Sequence, residues 1–181
     1  KVDSGTRLDS CPTALEIVAI DKEPLPYVLQ HAGDLLPEPR LIPYDRYYEP
    51  KFVDLEVEHI WRKQWQIACR VEDIPNVGDR VNYDIVDDSY IVVRSGPNAF
   101  KAFYNTCRHR GRKLCDHPGK KAEEFRCMFH GWTWNIDGTM KDMTCGWDFP
   151  GVRDEVTHLP ECKVGVWGGF VFINPDPDAE P

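Results

Sequence analysis

The sequence predicts a mainly β domain of antiparallel sheets, preceded by a short helix and an extended N-terminal arm. Three observations predict it. Short runs rich in β-branched and aromatic residues recur from residue 65 to residue 174, turn residues separate them at close intervals, and a single helical period stands ahead of them. The 181 residues suffice for one well-buried core, and 41% apolar with 12% aromatic residues indicates a packed chain rather than a disordered one.

Residues 1–49 carry Pro12, Pro24, Pro26, Pro37, Pro39 and Pro43, with Gly33 among them. Proline rings and missing N–H groups forbid a helix across LLPEPRLIP, so this stretch is expected to be an extended arm with at most a short helix at residues 13–20. The arm either hugs the surface or reaches a neighbouring subunit. Pro50 suits a helix start, and Val53, Val57, Ile60, Trp61, Gln64 and Trp65 recur near a helical period, with Glu56, Glu58, Arg62 and Lys63 on wetter faces. The aromatic positions of this helix are expected in the core.

Strands are predicted at residues 65–70, 80–86, 89–94, 99–105, 124–128, 131–135, 139–141, 163–167 and 169–174. Asn76-Val77-Gly78-Asp79, Asp87-Asp88 and Ser95-Gly96-Pro97-Asn98 punctuate them, and Asp137-Gly138 signals a hairpin because both residues tolerate positive φ. There is no internal repeat and no low-complexity tract.

The net charge of −8 and pI near 5.2 argue against an electrostatic grip on nucleic acid or anionic lipid. No apolar run approaches the roughly 18–20 residues that span a bilayer, and the first twenty residues lack the basic-then-apolar order of a signal peptide. A cytoplasmic protein is expected. Seven cysteines, an odd number, do not read as a disulfide framework, and in a reducing compartment they are ligands or small buried groups. A start at Lys1 and a stop at INPDPDAEP suggest a piece, or a processed or trimmed product, of something longer.

The chemistry concentrates between Asn105 and Met140. Cys107-x-His109 and Cys127-x-x-His130 are separated by seventeen residues, and a glycine follows each pair, Gly111 and Gly131. Zinc fingers usually place two cysteines on one short chelate and two histidines on another. Here each chelate is mixed. A Rieske [2Fe–2S] centre binds one iron by two cysteines and the other by two histidines, so two loops that each give one residue to each iron satisfy it directly. The charge sum explains the ligand choice. Two ferric ions, two sulfides and two thiolates total zero, whereas four thiolates would leave −2, and the neutral cluster accepts an electron more readily. The histidines also keep a far nitrogen that can titrate.

The run Cys107-Arg-His-Arg-Gly with Cys127-x-x-His130-Gly-Trp resembles the Rieske domain at the N-terminus of aromatic-ring-hydroxylating oxygenase α subunits. Trp61-Arg62-Lys63-Gln64-Trp65, the Gly78-Asp79 turn with its following strand, and the closing LPECKVGVWGGFVFINPDPDA are similar too, so the likeness covers about residues 43–179. Met128 stands where the family commonly has proline. Respiratory-chain Rieske proteins carry an extra cysteine pair that staples the two loops, and Met128 leaves no such staple. Small Rieske ferredoxins lack the helix and the arm. Arg108, Arg110 and the 43–65 lead-in favour the oxygenase type.

The resemblance implies a Rieske iron–sulfur fold at residues 50–177, after an arm at 1–49 and before a linker at 178–181. It implies a [2Fe–2S] cluster on Cys107, His109, Cys127 and His130. Electrons would come from a ferredoxin or reductase and pass to a mononuclear non-haem iron that activates O₂ to hydroxylate an aromatic or related substrate. That iron needs a 2-His-1-carboxylate triad, and His31, His59, His117 and His158 show no Asp-x-x-His-x-x-x-x-His spacing. No catalytic residue is therefore expected in this chain, and the mononuclear iron is expected in a separate catalytic domain. His130 would be the electron exit, facing a carboxylate of a neighbouring α subunit, in a trimer to which a β subunit can be added. Cys115 and Cys145 read as bland thiols, His117 as a loop residue, and Trp132 and Trp134 as packing beneath the cluster. Arg108, Arg110, Arg112, Lys113, Lys120, Lys121 and Arg126 are either solvated loop charge or a docking face for an acidic donor. Two alternatives stay open at this point: a self-standing Rieske-type ferredoxin carrier and a structural zinc protein.

Overall fold

The computed structural model describes Ile20 and residues 41–180. Two compact units are separable, Lys1–Tyr44 and Asp45–Pro181, and the strands and helices below all lie in the second. Residues 1–40 of the expected arm, apart from Ile20, and most of the expected helix at 13–20 lie outside the described residues; the last part of the arm, 41–49, is exposed but not extended throughout, since Tyr44–Tyr47 forms a 3-10 turn.

Among the described residues nine strands form, in chain order β1 (Gln66–Arg70), β2 (Arg80–Ile85), β3 (Asp88–Gly96), β4 (Ala99–Tyr104), β5 (Glu124–Arg126), β6 (Thr133–Asn135), β7 (Met140–Asp142), β8 (Glu161–Trp167) and β9 (Phe170–Asn174). They make a six-stranded sheet in the order β1-β9-β8-β4-β3-β2 and a three-stranded sheet β5-β6-β7, every pairing antiparallel. The fold is mainly β, as the sequence predicts.

The run Tyr90-Ile91-Val92-Val93 in β3 reads as continuous rather than alternating because both its faces are covered. Ile91 and Val93 point into one core cluster with Phe103, Phe125, Trp132, Trp134, Cys107 and Cys127, whereas Tyr90 and Val92 point into another with Ala102, Cys162, Val171 and Ile173. The large sheet thus serves as a wall. One face packs against its own hydrophobic layer, and the other faces the small sheet and the two Cys/His loops.

Gly138 closes the β6–β7 hairpin at φ +90, and a Cβ there would lie 2.3 Å from a Phe103 ring carbon. The β2–β3 hairpin instead places Val86, a β-branched residue, at φ 52. A left-handed conformation costs a non-glycine residue about 1–2 kcal/mol, and Val86 recovers little by burial since it is 56% exposed. Val86→Asn is therefore expected to stabilise the chain by about 1 kcal/mol and to raise Tm by roughly 2–4 °C. A thermal melt without a rise would sink this reading.

The helix differs from expectation. Helix α1 (Pro50–Glu56) starts at Pro50 as predicted, but its continuation Val57–Trp61 widens, with the Arg62 N–H donating to Val57 O five residues back, and no residue of either segment is buried. Val53 and Ile60 are 44% and 45% exposed, so the aromatic and aliphatic positions are not in the core. The segment after the helix is tied by polar contacts instead: Arg62 to Asp88 at 2.8 Å, Lys63 to Asp176 at 3.0 Å, and the Trp65 indole N–H to Glu180 O at 2.7 Å.

Candidate metal centre

The two loops that carry the Cys/His pairs share one backbone frame. In the first, Cys107 N–H donates to Arg112 O at 2.8 Å and Gly111 N–H returns to Cys107 O at 2.9 Å. In the second, Cys127 N–H donates to Trp132 O at 2.8 Å and Gly131 N–H returns to Cys127 O at 2.9 Å. Gly111 and Gly131 sit at φ +74 and +76, which lets each loop turn back on its cysteine without a Cβ penalty. A Cβ on Gly131 would also meet Thr144 Oγ1 at 2.9 Å. Within this common frame the histidine stands two residues after the first cysteine and three after the second.

The frame brings like donors together. Cys107 and Cys127 are both buried, in one core cluster, and close enough for Cys127 to perturb the Cys107 thiol. The imidazoles of His109 and His130 meet edge to face with centroids 4.6 Å apart. Among the described residues, no three His, Cys, Asp or Glu side chains converge as one metal ion would require. A pair of thiols beside a pair of imidazoles is instead the donor set of a binuclear centre with two protein ligands per iron.

The electrostatics suit the same occupant. Burial pushes the Cys107 thiol up, and the neighbouring Cys127 adds to this, against N–H groups of His109 and Arg110 that point at its sulfur. A thiol held neutral by burial, as Cys107 is, becomes a thiolate when a metal supplies the positive charge. Burial, then the His130 ring and the Arg110 cation, depress His109, which keeps it neutral as ligation requires. Its Nδ1 is buried with no hydrogen-bond partner. A buried imidazole nitrogen without a partner is costly unless something binds it, so the residues present fit a [2Fe–2S] cluster.

The two histidines are unlike in surroundings. His109 is half-buried, with its ring stacked on Trp132 at 4.8 Å and 12° and met edge-on by Phe149 at 5.4 Å. His130 is exposed beside Phe129 and Met128, and it lines a concavity of about 570 Å³ with Arg126 and Thr144. Trp132 and Trp134 are buried beneath the loops, as expected.

Other expected positions fall away from the centre. Cys115 is buried and accepts the Arg80 Nε–H at 3.2 Å, Cys145 is exposed, and His59, His117 and His158 are exposed; His31 lies outside the described residues. Arg112, Lys113 and Lys120 lie near Asp116, Asp84 and Asp79 at 3.6, 3.2 and 3.9 Å. Among the described residues Arg108, Arg110 and Arg126 have no carboxylate partner. These three arginines flank the Cys/His pairs, whereas Lys121, also without a carboxylate partner among the described residues, stands apart on the connection between the loops.

Sequence reasoning missed two residues that hold the loops. The buried Asn105 amide accepts Leu114 and Cys115 N–H at 3.0 and 2.9 Å and donates to Cys115 O and Ser89 Oγ, which fastens the return of the first loop to its start. The fully buried Asp79 accepts Lys121 N–H and both nitrogens of Asn76. Burial alone would raise its carboxyl, but these donors and the Lys120 ammonium hold it below the usual carboxylate range. It pins the connection between the two loops to the Gly78-Asp79 turn. Asn105 lies two residues ahead of Cys107, and that proximity was the one signal available.

Comparison with known proteins gives a consistent result. The family described as Rieske [2Fe-2S] domain matches residues 64–152. The chain is 29% identical over 138 residues to the carnitine monooxygenase oxygenase subunit of Escherichia coli (strain K12), covering 76% of this chain and 37% of that protein. It is 31% identical over 143 residues to the biphenyl 2,3-dioxygenase subunit alpha of Rhodococcus jostii (strain RHA1), covering 78% and 30%. Among solved structures, the apo form of a quaternary ammonium Rieske monooxygenase superposes with a TM-score of 0.73 at 26% identity, covering 78% of this chain and 41% of that one. The chain therefore spans about a third of the length of the relatives it matches.

Proposed function

The chain carries a Rieske [2Fe-2S] domain related to those of Rieske oxygenase α subunits, and on that premise we propose that it is the electron-relaying part of such an oxygenase. Cys107 and Cys127 would hold one iron, and His109 and His130 the other. The observation that carries this is the sorting of donors, two thiols in one pair and two imidazoles in another, on loops with one shared backbone frame. A bound cluster would supply reversible one-electron chemistry. The protein's part is to keep both thiols buried, hold His109 neutral against Trp132, and present His130 to solvent or to a partner.

His130 is the proposed exit toward a mononuclear iron on the catalytic domain of a neighbouring α subunit, with a trimer the expected assembly and a β subunit a further partner. Its exposure beside Arg126 and Thr144 supports this. Arg108, Arg110 and Arg126 support an acidic ferredoxin or reductase as donor, since their charge is not neutralised locally. The proposed domain is residues 50–177, between the arm and the start of a linker. No described helix is long and apolar enough to cross a membrane; a cytoplasmic location remains part of the proposal.

The relatives are named for substrates that are not all aromatic hydrocarbons. They include carnitine, choline and glycine betaine monooxygenases beside biphenyl and anthranilate dioxygenases, so an aromatic hydrocarbon is too specific and the proposal is hydroxylation of an aromatic or other organic substrate bound elsewhere. Relatives that cover about three quarters of the chain are oxygenase subunits, which favours this reading over a self-standing carrier.

The test is spectroscopic. Reconstituted anaerobically with iron and sulfide, the chain is expected to turn red-brown and to give a rhombic EPR signal on reduction. Its reduction by an acidic ferredoxin should slow as salt is added. A colourless chain that takes up stoichiometric zinc instead would replace the relay with a structural zinc site.

A further inference from the structure

A third segment, outside both ligand loops, reaches the centre. Met143 is buried in the same cluster as Cys107 and Cys127, Thr144 approaches Gly131, and the chain then turns sharply through Cys145 at φ 56 and a short 3-10 turn, Gly146–Asp148. Hydrogen bonds from Asp148 N–H to Cys145 O at 2.9 Å and from Phe149 N–H to Gly146 O at 3.2 Å close this turn. Its outward residue, Trp147, is 80% exposed. Its inward residue, Phe149, packs edge-on against His109 at 5.4 Å and 79° and against Trp132 at 5.4 Å and 89°.

We propose that Phe149 is a positioning residue for His109, one that completes a three-ring enclosure with Trp132 and makes the two imidazoles inequivalent. The inference rests on the Cys107/His109/Cys127/His130 reading. Trp132 fixes the plane of the His109 ring by stacking, but a stacked ring can still slide and rotate in its plane. An edge contact perpendicular to both rings removes that freedom, and edge-to-face packing is the favoured arrangement for such a contact. Phe149 also excludes water from the His109 side, which His130 lacks. Groups that orient a ligand ring and set its local dielectric tune the metal they hold. An oxidised centre of zero charge becomes −1 on reduction, and water stabilises the charged form more. Removing the enclosure should therefore raise the midpoint potential.

The experiment uses the full reconstituted chain with Phe149→Leu, Phe149→Tyr and Trp147→Ala. The leucine variant should keep two irons, broaden the reduced EPR features and shift the midpoint upward. The tyrosine variant, which keeps the ring, should restore both, and Trp147→Ala, on the same turn but pointing outward, should match the wild type. Phe149→Met gives the same readout should the leucine variant not accumulate. A fully loaded leucine variant with wild-type linewidth and midpoint overturns the proposal, and so does a Trp147→Ala variant that reproduces its changes, since the effect would then belong to the turn and not to the ring. A wild-type chain with no rhombic signal at all overturns the relay reading instead, so the two failures are distinct.

Discussion

Cys127→Ala is expected to yield a folded, colourless chain that holds almost no iron. Cys127 is 3% exposed and lies within the apolar cluster that includes Phe125, Trp132 and Trp134. Losing one sulfur from such a site leaves a small cavity, at a cost of about 1 kcal/mol, against cores that bury many larger side chains. The strands should survive. The iron should not, because in a binuclear centre with two protein ligands per iron the substitution removes half of one iron's protein donors. Histidines cannot replace the missing thiolate charge. Iron per chain should fall at least about tenfold, read by colorimetric assay beside a circular dichroism spectrum that keeps its strand signal. Cys145→Ala and Cys115→Ala should leave iron content unchanged. Cys145 is exposed, and Cys115, though buried, is engaged by Arg80 rather than by the ligand pairs. If Cys115→Ala emptied the chain and Cys127→Ala did not, the ligand set would be wrong.

The strands and the ligand loops were legible for a common reason: each is set by short-range chemistry. Runs of β-branched and aromatic residues between turn residues located the nine described strands, and the Asp137-Gly138 hairpin formed with Gly138 supplying the positive φ. The two loops were readable because the spacing of cysteine, histidine and glycine is itself the geometric requirement of two converging chelates. What the sequence hid is set by distant partners. Pairing of β1 with β9, and of β4 with β8, joins residues about a hundred and about sixty positions apart, and no local pattern announces them. Val53, Val57 and Ile60 have a buried helix's period and are not buried, because periodicity names a face without saying whether anything covers it. Phe149 was silent for the opposite reason. It lies in CGWDFPG, where no period exists, and its role arises only when the turn folds back onto His109. Asn105 shows the intermediate case: its nearness to Cys107 was visible, but three of the four bonds its side chain makes depend on the return of Leu114 and Cys115.

His130→Cys is expected to keep a cluster but to lower its potential and, against the faster discharge that a lower potential alone would give, to slow its discharge. The position tolerates the change, since His130 is exposed and packs only against His109 and Phe129 among aromatic rings. A third thiolate takes the oxidised centre from 0 to −1 and the reduced centre from −1 to −2, so adding an electron becomes harder. Rieske centres and all-cysteine plant-type centres differ by roughly 250 mV or more for two such exchanges, so one exchange should lower the midpoint on the order of 100 mV. For a one-electron couple 59 mV is a factor of ten, so reduction by a given donor becomes about fiftyfold less favourable. His109→Cys makes the same charge change on the enclosed side, where it also discards the stack on Trp132 and the contact with Phe149, and should retain less iron. The comparison isolates the exit. Discharge from a lower-potential centre is thermodynamically easier, so charge alone predicts faster transfer to a common acceptor from either variant. Slower transfer from His130→Cys alone would mean that the imidazole edge is the contact through which electrons leave. Equal acceleration of both variants would place the exit elsewhere on the surface, and a midpoint unchanged in His130→Cys would remove His130 from the ligand set.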